Sequence, residues 1–252
     1  MRALVAAALA VSALASQALA AEPLSCAVPD RLVSGDYSLM KRVAATVARQ
    51  RKLAIVVLGT GSSTLAGAQG PSMAYPARLE AFLNQRLSMV TVTVSSRTMG
   101  GQTADMMRRS MKDVLVDQKP DLVVWQTGTV DAIRRVEPDE FRVAVEKGVD
   151  TLLSAGTDVV LMNMQYSPRT ESMIAVGPYA DGMHAVAQQR EVPLFDRFSI
   201  MRYWADEGTF DFNAAARDNG LAQRVHDCLG RAIGTLVIAA GRLQAFENKS
   251  GK

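Results

Sequence analysis

Two apolar, strand-like runs of the sequence each end in a turn of small and polar residues. The run 53–58 is followed by the turn 59–64, Gly-Thr-Gly-Ser-Ser-Thr, and the run 121–125 is followed by the turn 126–131, Gln-Thr-Gly-Thr-Val-Asp. Nearly continuous apolar runs are typical of strands that are buried on both faces of a parallel sheet. Because parallel strands end at one edge, both turns are expected at the edge where open α/β sheets bind ligands.

Strand and helix patterns alternate along the rest of the chain. Strand-like runs lie at 53–58, 89–94, 121–125, 158–162 and 192–195. Between and after them, apolar residues recur at helical spacing, notably at 79–87, 107–115, 141–152, 173–190 and 221–243. This alternation predicts right-handed β-α-β crossovers and a parallel sheet with helices on both faces. Without repeats or linkers, residues 21–246 are predicted to form one domain, followed by a flexible tail at 247–252.

The N-terminal residues 1–20 have the pattern of a secretory signal peptide. Arg2 carries a positive charge, residues 3–15 are small and apolar apart from Ser12, and residues 18–20 form an Ala-Leu-Ala cleavage pattern. The apolar run is shorter than a membrane-spanning helix, and no later stretch reaches that length. The sequence therefore predicts an exported protein, periplasmic or secreted, with no membrane span.

Composition argues against several classes of function. The chain has 28 Lys and Arg against 25 Asp and Glu, and no dense basic patch, so nucleic acid is not an expected partner. His184 and His226 are far apart in the sequence, and no carboxylates cluster with them, so no metal site is predicted. The Gly-x-Gly turn has Thr64 at the third glycine position of a dinucleotide motif and no phosphate-binding lysine, so no cofactor is predicted.

The two cysteines, Cys26 and Cys228, lie near the two ends of the domain. In an oxidising compartment, an even pair of cysteines more often forms a disulfide than a catalytic thiol. The sequence predicts a Cys26–Cys228 disulfide, and two separate buried thiols are the alternative.

The turn 59–64 has two interpretations from its residues alone. A serine hydroxyl just beyond the sheet edge, near backbone N–H groups at a helix start, is the arrangement of a nucleophile turn. A plain polar connection between strand and helix is an equally good interpretation.

The two turns resemble the blocks of the SGNH (GDSL-type) hydrolases, in which Gly-Asp-Ser follows the first strand. Gly61-Ser62-Ser63, with Gly67 four residues after the serine, fits this block and selects Ser63 as nucleophile, with Ser62 as the close alternative. Counting from Gly59 instead places Gly61 at the nucleophile position, which would abolish the chemistry. The resemblance implies a three-layer α/β/α sandwich with a parallel, flavodoxin-like sheet.

Further blocks extend the resemblance over most of the chain. The segments 75–80 and 164–168 are similar to family segments that follow the nucleophile turn and the fourth strand. Residues 100–103 fall where the second block supplies a glycine N–H to the oxyanion hole, which implies Gly101, with Gly100 beside it. Residues 128–131 fall on the Gly-x-Asn-Asp block, which places Thr129 and Asp131 at the site.

Three positions depart from the family pattern. Val130 stands where an asparagine donates to the oxyanion. The last block should read Asp-x-x-His, but Gln223 lies three residues before His226, and Leu221 lies three residues after Asp218. His226 therefore lacks the carboxylate partner that fixes its tautomer in a catalytic triad. A structural histidine beside the disulfide is the alternative role for it.

The resemblance implies an exported serine esterase that acts on a small-molecule or glycan ester, such as an O-acetyl group. Ser63 would attack the carbonyl, His226 would take its proton, and the N–H groups of Ser63 and Gly101 would bind the oxyanion. Thr129 is a candidate substitute donor. The competing hypothesis is a catalytically silent member whose cleft binds a carbohydrate or acyl ligand.

Overall fold

The computed structural model describes residues 26–29, 32, 39–214 and 219–248. The predicted signal peptide, Asp218 and residues 249–252 lie outside this part of the chain.

Five parallel strands form one central sheet. Their bounds are β1 Lys52–Gly59, β2 Thr91–Thr98, β3 Leu122–Gln126, β4 Asp158–Met162 and β5 Leu194–Phe195. The order across the sheet is β2-β1-β3-β4-β5, which is the flavodoxin-like order. The chain therefore leaves β1 toward one side of the sheet and leaves β3 toward the other. This divergence opens a crevice beyond the carboxyl ends of β1 and β3, the usual ligand position in such sheets.

Helices cover both faces of the sheet. Their bounds are α1 Lys41–Gln50, α2 Gly70–Met73, α3 Tyr75–Arg86, α4 Ala104–Arg109, α5 Met111–Gln118, α6 Thr129–Arg134, α7 Pro138–Ser154, α8 Pro168–Met173, α9 Gly177–Gln189, α10 Arg197–Asp206 and α11 Gly220–Ala240. Two 3₁₀ turns lie at Gly61–Ser63 and Gln244–Phe246.

Two hydrophobic cores lie on opposite faces of the sheet because side chains alternate along each strand. In β1, Ile55 and Val57 pack into the core formed with α1, α3, α10 and α11. Val56 and Leu58 pack into the core formed with α4, α5, α7 and α9. The predicted three-layer α/β/α sandwich is confirmed.

Several element bounds differ from the sequence patterns. The second strand begins at Thr91 and not at Met89, whose φ of 57° lies in the left-handed region, outside the extended range of a strand. The helical stripe at 107–115 divides into α4 and α5 at Ser110, and the stripe at 173–190 divides into α8 and α9. Helix α10 has no counterpart among the predicted elements.

Both ends of the domain are tied to its helices. Cys26 and Cys228 form the predicted disulfide, with 5.2 Å between their Cα atoms, and Cys228 is buried in α11. Glu247 pairs with Leu87 in an antiparallel bridge, and the Asn248 amide donates to Arg86 O over 2.8 Å. Backbone hydrogen bonds therefore hold Glu247 and Asn248, the first two residues of the predicted tail, at the end of α3.

Candidate functional site

The turns after β1, β2 and β3 lie together at the carboxyl edge of the sheet. The Met99 amide donates to Gly59 O over 2.7 Å, which joins the first two turns. The Ala104 amide donates to both carboxylate oxygens of Asp131, over 3.0 and 3.1 Å, which joins the second turn to the third. The residues predicted to share one edge therefore do so.

The side chain of Ser63 points into the protein interior. It is 1% exposed, and its hydroxyl donates to Gln126 Oε1 over 2.9 Å. Tyr75 Oη lies 2.8 Å from Ser63 Oγ. Because the single proton of Ser63 is directed to Gln126, Tyr75 is the donor in the second bond. Burial raises the pKa of Tyr75, so that its phenol keeps this proton. The Ser63 oxygen therefore has a donor and an acceptor of its own within the fold.

Gln126 organises the turn after β1 from the end of β3. Its Oε1 atom accepts from the Thr60 amide and the Thr60 hydroxyl, each over 3.0 Å, as well as from Ser63. The convergence of donors fixes the orientation of the amide group. Its Nε2 atom is buried and has no hydrogen-bond partner in the described residues.

Gly59 and Gly61 differ in the space that surrounds them in this turn. A Cβ atom at Gly59 would lie 2.0 Å from Ser63 Oγ, so only glycine lets Ser63 fold back against the strand end. A Cβ atom at Gly61 would meet nothing within 4 Å, and Gly61 is exposed. Since β1 ends at Gly59, counting from the strand end puts glycine, and not serine, at the outward-facing position of the turn.

Ser62 lies beside a buried arginine. Arg197 Nη1 donates to Ser62 Oγ over 3.2 Å and to Ser62 O over 3.3 Å. The distance from Ser62 Oγ to Gln126 Oε1 is 3.5 Å, the limit of a hydrogen bond. Ser62 thus contacts a cation and not a base.

His226 is buried on α11 at 5% exposure. Its Nδ1 atom accepts from the Tyr75 amide over 3.0 Å, so the neutral ring carries its proton on Nε2. Burial, with a smaller effect of the Arg197 charge, lowers the pKa of His226 to about 3. Within the described part of the chain, His226 makes no hydrogen bond to Ser62 or Ser63. A ring with one nitrogen occupied and the other protonated has no lone pair to offer a serine.

The predicted oxyanion residues have mainly structural contacts. Asp131 is buried, and its carboxylate caps the start of α4 and so anchors the loop that contains Gly100 and Gly101. Burial raises the pKa of Asp131. Gly101 has a φ of 70°, the left-handed conformation that glycine tolerates in a tight turn. The Thr129 hydroxyl is buried without a partner in the described residues.

A pocket of about 240 Å³ opens beside this network, between the loop after β4 and the starts of α10 and α11. Its walls are partly apolar and partly polar, and include Gln165, Tyr166, Arg197, Phe212, Leu221 and His226. A larger open groove of about 680 Å³ lies between α6 and α8, and none of the predicted site residues lines it.

Three residues of this arrangement were not predicted as site residues from the sequence: Tyr75, Gln126 and Arg197. Tyr75 begins the 75–80 segment that resembles the family, and Gln126 is the first residue of the 126–131 turn, at the end of β3. Arg197 is one of 28 basic residues, and its sequence neighbours give no sign that it is buried.

The described residues contain no group of three or more His, Cys, Asp or Glu side chains that would hold a metal ion. They also contain no helix that is long and apolar enough to cross a membrane.

Known structures share this architecture and define its class. A lipase/acylhydrolase from Enterococcus faecalis is 18% identical, aligned over 79% of this chain and 100% of that chain, with a TM-score of 0.61. A catalytic mutant of an acetylxylan esterase from Geobacillus stearothermophilus is 16% identical over 73% and 94%, with a TM-score of 0.60. TesA is 19% identical over 74% and 99%, with a TM-score of 0.59. At these identities the likeness shows the fold, which is that of the SGNH hydrolases.

The family follows from the sequence itself. Residues 25–242 match the Non-GDSL lipase-like family, and the chain belongs to it. No curated protein sequence matches the chain at a significant level.

Proposed function

We propose that the protein is an exported, non-hydrolytic member of its family that binds a small ligand at the carboxyl edge of the sheet. The observation that carries this proposal is the orientation of the turn after β1. The Ser63 hydroxyl is buried and hydrogen-bonded to Gln126 and Tyr75, while the exposed position of the turn is Gly61. A nucleophile must reach its substrate, and this hydroxyl faces the core.

The base and the oxyanion hole point the same way. His226 directs Nδ1 to a backbone amide and stays neutral down to acidic pH, so it lacks the basicity that general-base catalysis near pH 7 requires. Val130 has no donor to offer an oxyanion, and loss of one such donor costs about 2.7–4 kcal/mol of transition-state stabilisation.

Export is part of the proposal and rests on the signal pattern of residues 1–20. The Cys26–Cys228 disulfide supports it, because disulfides persist in oxidising compartments and are rare in the cytosol. Cell fractionation of the full chain, with intact mass to detect removal of the signal peptide, tests this part separately.

The second candidate is an esterase for a small ester, such as a glycan O-acetyl group. It is favoured by the lipase-like description of the family and by the esterases and lipases among the structures of the same fold. Under this hypothesis Ser63 or Ser62 is the nucleophile. The turn after β1 must then rearrange to expose the hydroxyl of that serine and to bring a general base within hydrogen-bond distance of it.

Turnover of p-nitrophenyl acetate and labelling by a fluorophosphonate distinguish the two candidates. We expect wild-type protein to match the Ser62→Ala/Ser63→Ala double variant in both assays. Gly61→Ala is a matched control, because it fills the exposed position of the turn and leaves both hydroxyls in place. Turnover that Ser63→Ala abolishes while the thermal unfolding midpoint persists would refute the proposal and establish the esterase.

A further inference from the structure

Arg197 is a buried cation without a carboxylate partner in the described part of the chain. It is 1% exposed, and its hydrogen bonds are long, at 3.2 and 3.3 Å to Ser62 and 3.3 Å to Gln165 Oε1. Its Nε atom is buried, with no partner among the residues described. A guanidinium has five N–H donors, and three long contacts to neutral acceptors leave it undersatisfied.

The charge of Arg197 persists despite its burial. Desolvation lowers the pKa of Arg197 to about 10, which keeps the group protonated near neutral pH. Buried charges are ordinarily paired, and an unpaired one is retained at a cost in stability. A perturbed cation in a cleft is therefore a signal of a binding site.

The pocket beside Arg197 has the shape and polarity for a small amphipathic ligand. Its volume of about 240 Å³ lies below the roughly 300–1,000 Å³ of pockets for drug-sized ligands. Tyr166, Phe212 and Leu221 supply apolar walls, and Gln165 holds one edge of the guanidinium. His226, which also lines the pocket, is neutral near pH 7, so Arg197 carries the only charge among the described residues that line it.

We propose that this pocket binds a small monocarboxylate, with the carboxylate against Arg197 and a short apolar chain against Tyr166, Phe212 and Leu221. Arginine matches the planar carboxylate in a two-bond geometry. One cation balances one negative charge, which favours a monoanion over a phosphate dianion. This inference rests on the proposed function, because it names the ligand class of that same edge.

Isothermal titration of wild-type protein with butyrate, butyramide and inorganic phosphate tests the ligand class. We expect butyrate to bind, and butyramide, its neutral analogue, to bind at least about tenfold more weakly, the loss of one charge-assisted pair. Phosphate that binds as well as butyrate would reduce the site to a general anion site and overturn the carboxylate assignment. Absence of butyrate binding would overturn it too.

Variants test the location of the site. Arg197→Met should remove butyrate binding, whereas Arg202→Met on the same helix, where the side chain is 53% exposed, should leave it unchanged. Leu221→Trp fills the pocket while Arg197 stays, so it provides an independent test if Arg197→Met fails to fold. Butyrate binding that survives both Arg197→Met and Leu221→Trp would place the anion elsewhere and refute the inference.

The outcomes separate this inference from the proposed function. Absence of butyrate binding, together with absence of ester turnover, would refute the carboxylate site and leave the non-hydrolytic function standing. Turnover lost in Ser63→Ala would refute the non-hydrolytic function, whereas butyrate binding that is lost in Arg197→Met would still support the carboxylate site.

Discussion

The two edges of the sheet differ in how they treat buried polar groups. At the amino edge, Asp121 accepts from Arg42 Nε over 2.8 Å, from the Thr46 hydroxyl over 3.0 Å and from the Ala54 amide over 3.0 Å. Asp158, also at this edge, accepts from the Val43 amide over 2.9 Å and so caps α1. Asp121 and Asp158 are thus both held by hydrogen bonds from groups of the domain.

At the carboxyl edge, several buried polar atoms have no partner in the described residues: Gln126 Nε2, Thr127 Oγ1, Thr129 Oγ1 and Arg197 Nε. Unpaired buried polar groups cost stability, and natural folds retain few of them. The amino edge therefore contributes stability, whereas the carboxyl edge keeps unpaired donors and a buried charge at a cost in stability.

The disulfide provides the largest test of how the carboxyl edge is held. It links residues 202 positions apart and joins α11, which carries His226, to the N-terminal segment. Its loss should lower the free energy of unfolding by roughly 4–5 kcal/mol, because the unfolded chain gains conformational entropy when the long loop is no longer closed. Urea unfolding with and without reductant measures this. The Cys26→Ser/Cys228→Ser variant should be insensitive to reductant, and two free thiols in purified protein would contradict the pairing.

Asp121→Ala tests the claim that the amino edge carries stability. The substitution removes three hydrogen bonds and leaves the Thr46 hydroxyl and the Ala54 amide unpaired, so we expect a loss of about 2–4 kcal/mol in chemical denaturation. Arg42→Ala is the control, since Arg42 is half-exposed and its pair should contribute no more than about 1 kcal/mol. Equal losses for the two variants would show that the ion pair, and not the buried network, stabilises this edge.

Lowering the pH should destabilise the carboxyl edge first, because His226 becomes protonated on unfolding. The pKa of His226 is about 3 in the folded state against about 6.5 in an unfolded chain, so the unfolded state binds more protons between these values. Stability is therefore complete above pH 6.5 and falls as the pH decreases toward 3, by about 1–2 kcal/mol between pH 7 and pH 5.

Two variants isolate this dependence in unfolding measured against pH. His226→Asn should remove it, because the Asn side chain does not titrate and carries an oxygen acceptor in place of Nδ1. His184 has the opposite sign, because its contact with Asp196 raises its pKa and stabilises the fold at low pH, with the effect lost as the pH rises through the folded-state value. His184→Gln should therefore steepen the acid loss, and an unchanged profile in His226→Asn would contradict the assignment.

A matched pair of threonines gives the smallest and sharpest comparison. The Thr46 hydroxyl donates to Asp121, whereas the buried Thr129 hydroxyl has no partner in the described chain. Thr46→Val should cost about 1 kcal/mol, and Thr129→Val should stay within about 0.5 kcal/mol of wild type or stabilise the protein. A larger loss for Thr129→Val would mean that its hydroxyl is satisfied, and the contrast between the edges would fail.

Much of the fold could be predicted from the sequence because its signals are periodic and local. The alternation of apolar runs and helical stripes predicted the parallel sheet and its two helical layers, and the strand ends predicted which turns meet. Boundaries failed where a single residue interrupts a pattern, as at Ser110 inside the stripe that became α4 and α5. Helix α10 was missed, although it brings Arg197 to the site.

Local sequence patterns were enough to predict the carboxyl-edge turns, the cysteine pair and the departures at Val130 and Gln223. The direction of the Ser63 hydroxyl, the hydrogen bond of His226 and the surroundings of Arg197 became known from the folded structure alone. Those outcomes depend on contacts between residues far apart in the chain, such as Tyr75 with His226 and Ser63 with Gln126. A serine reads the same in the sequence whether its hydroxyl faces solvent or an amide oxygen. Its reactivity depends on the rotamer that the surrounding side chains impose, and no local sequence pattern encodes that rotamer.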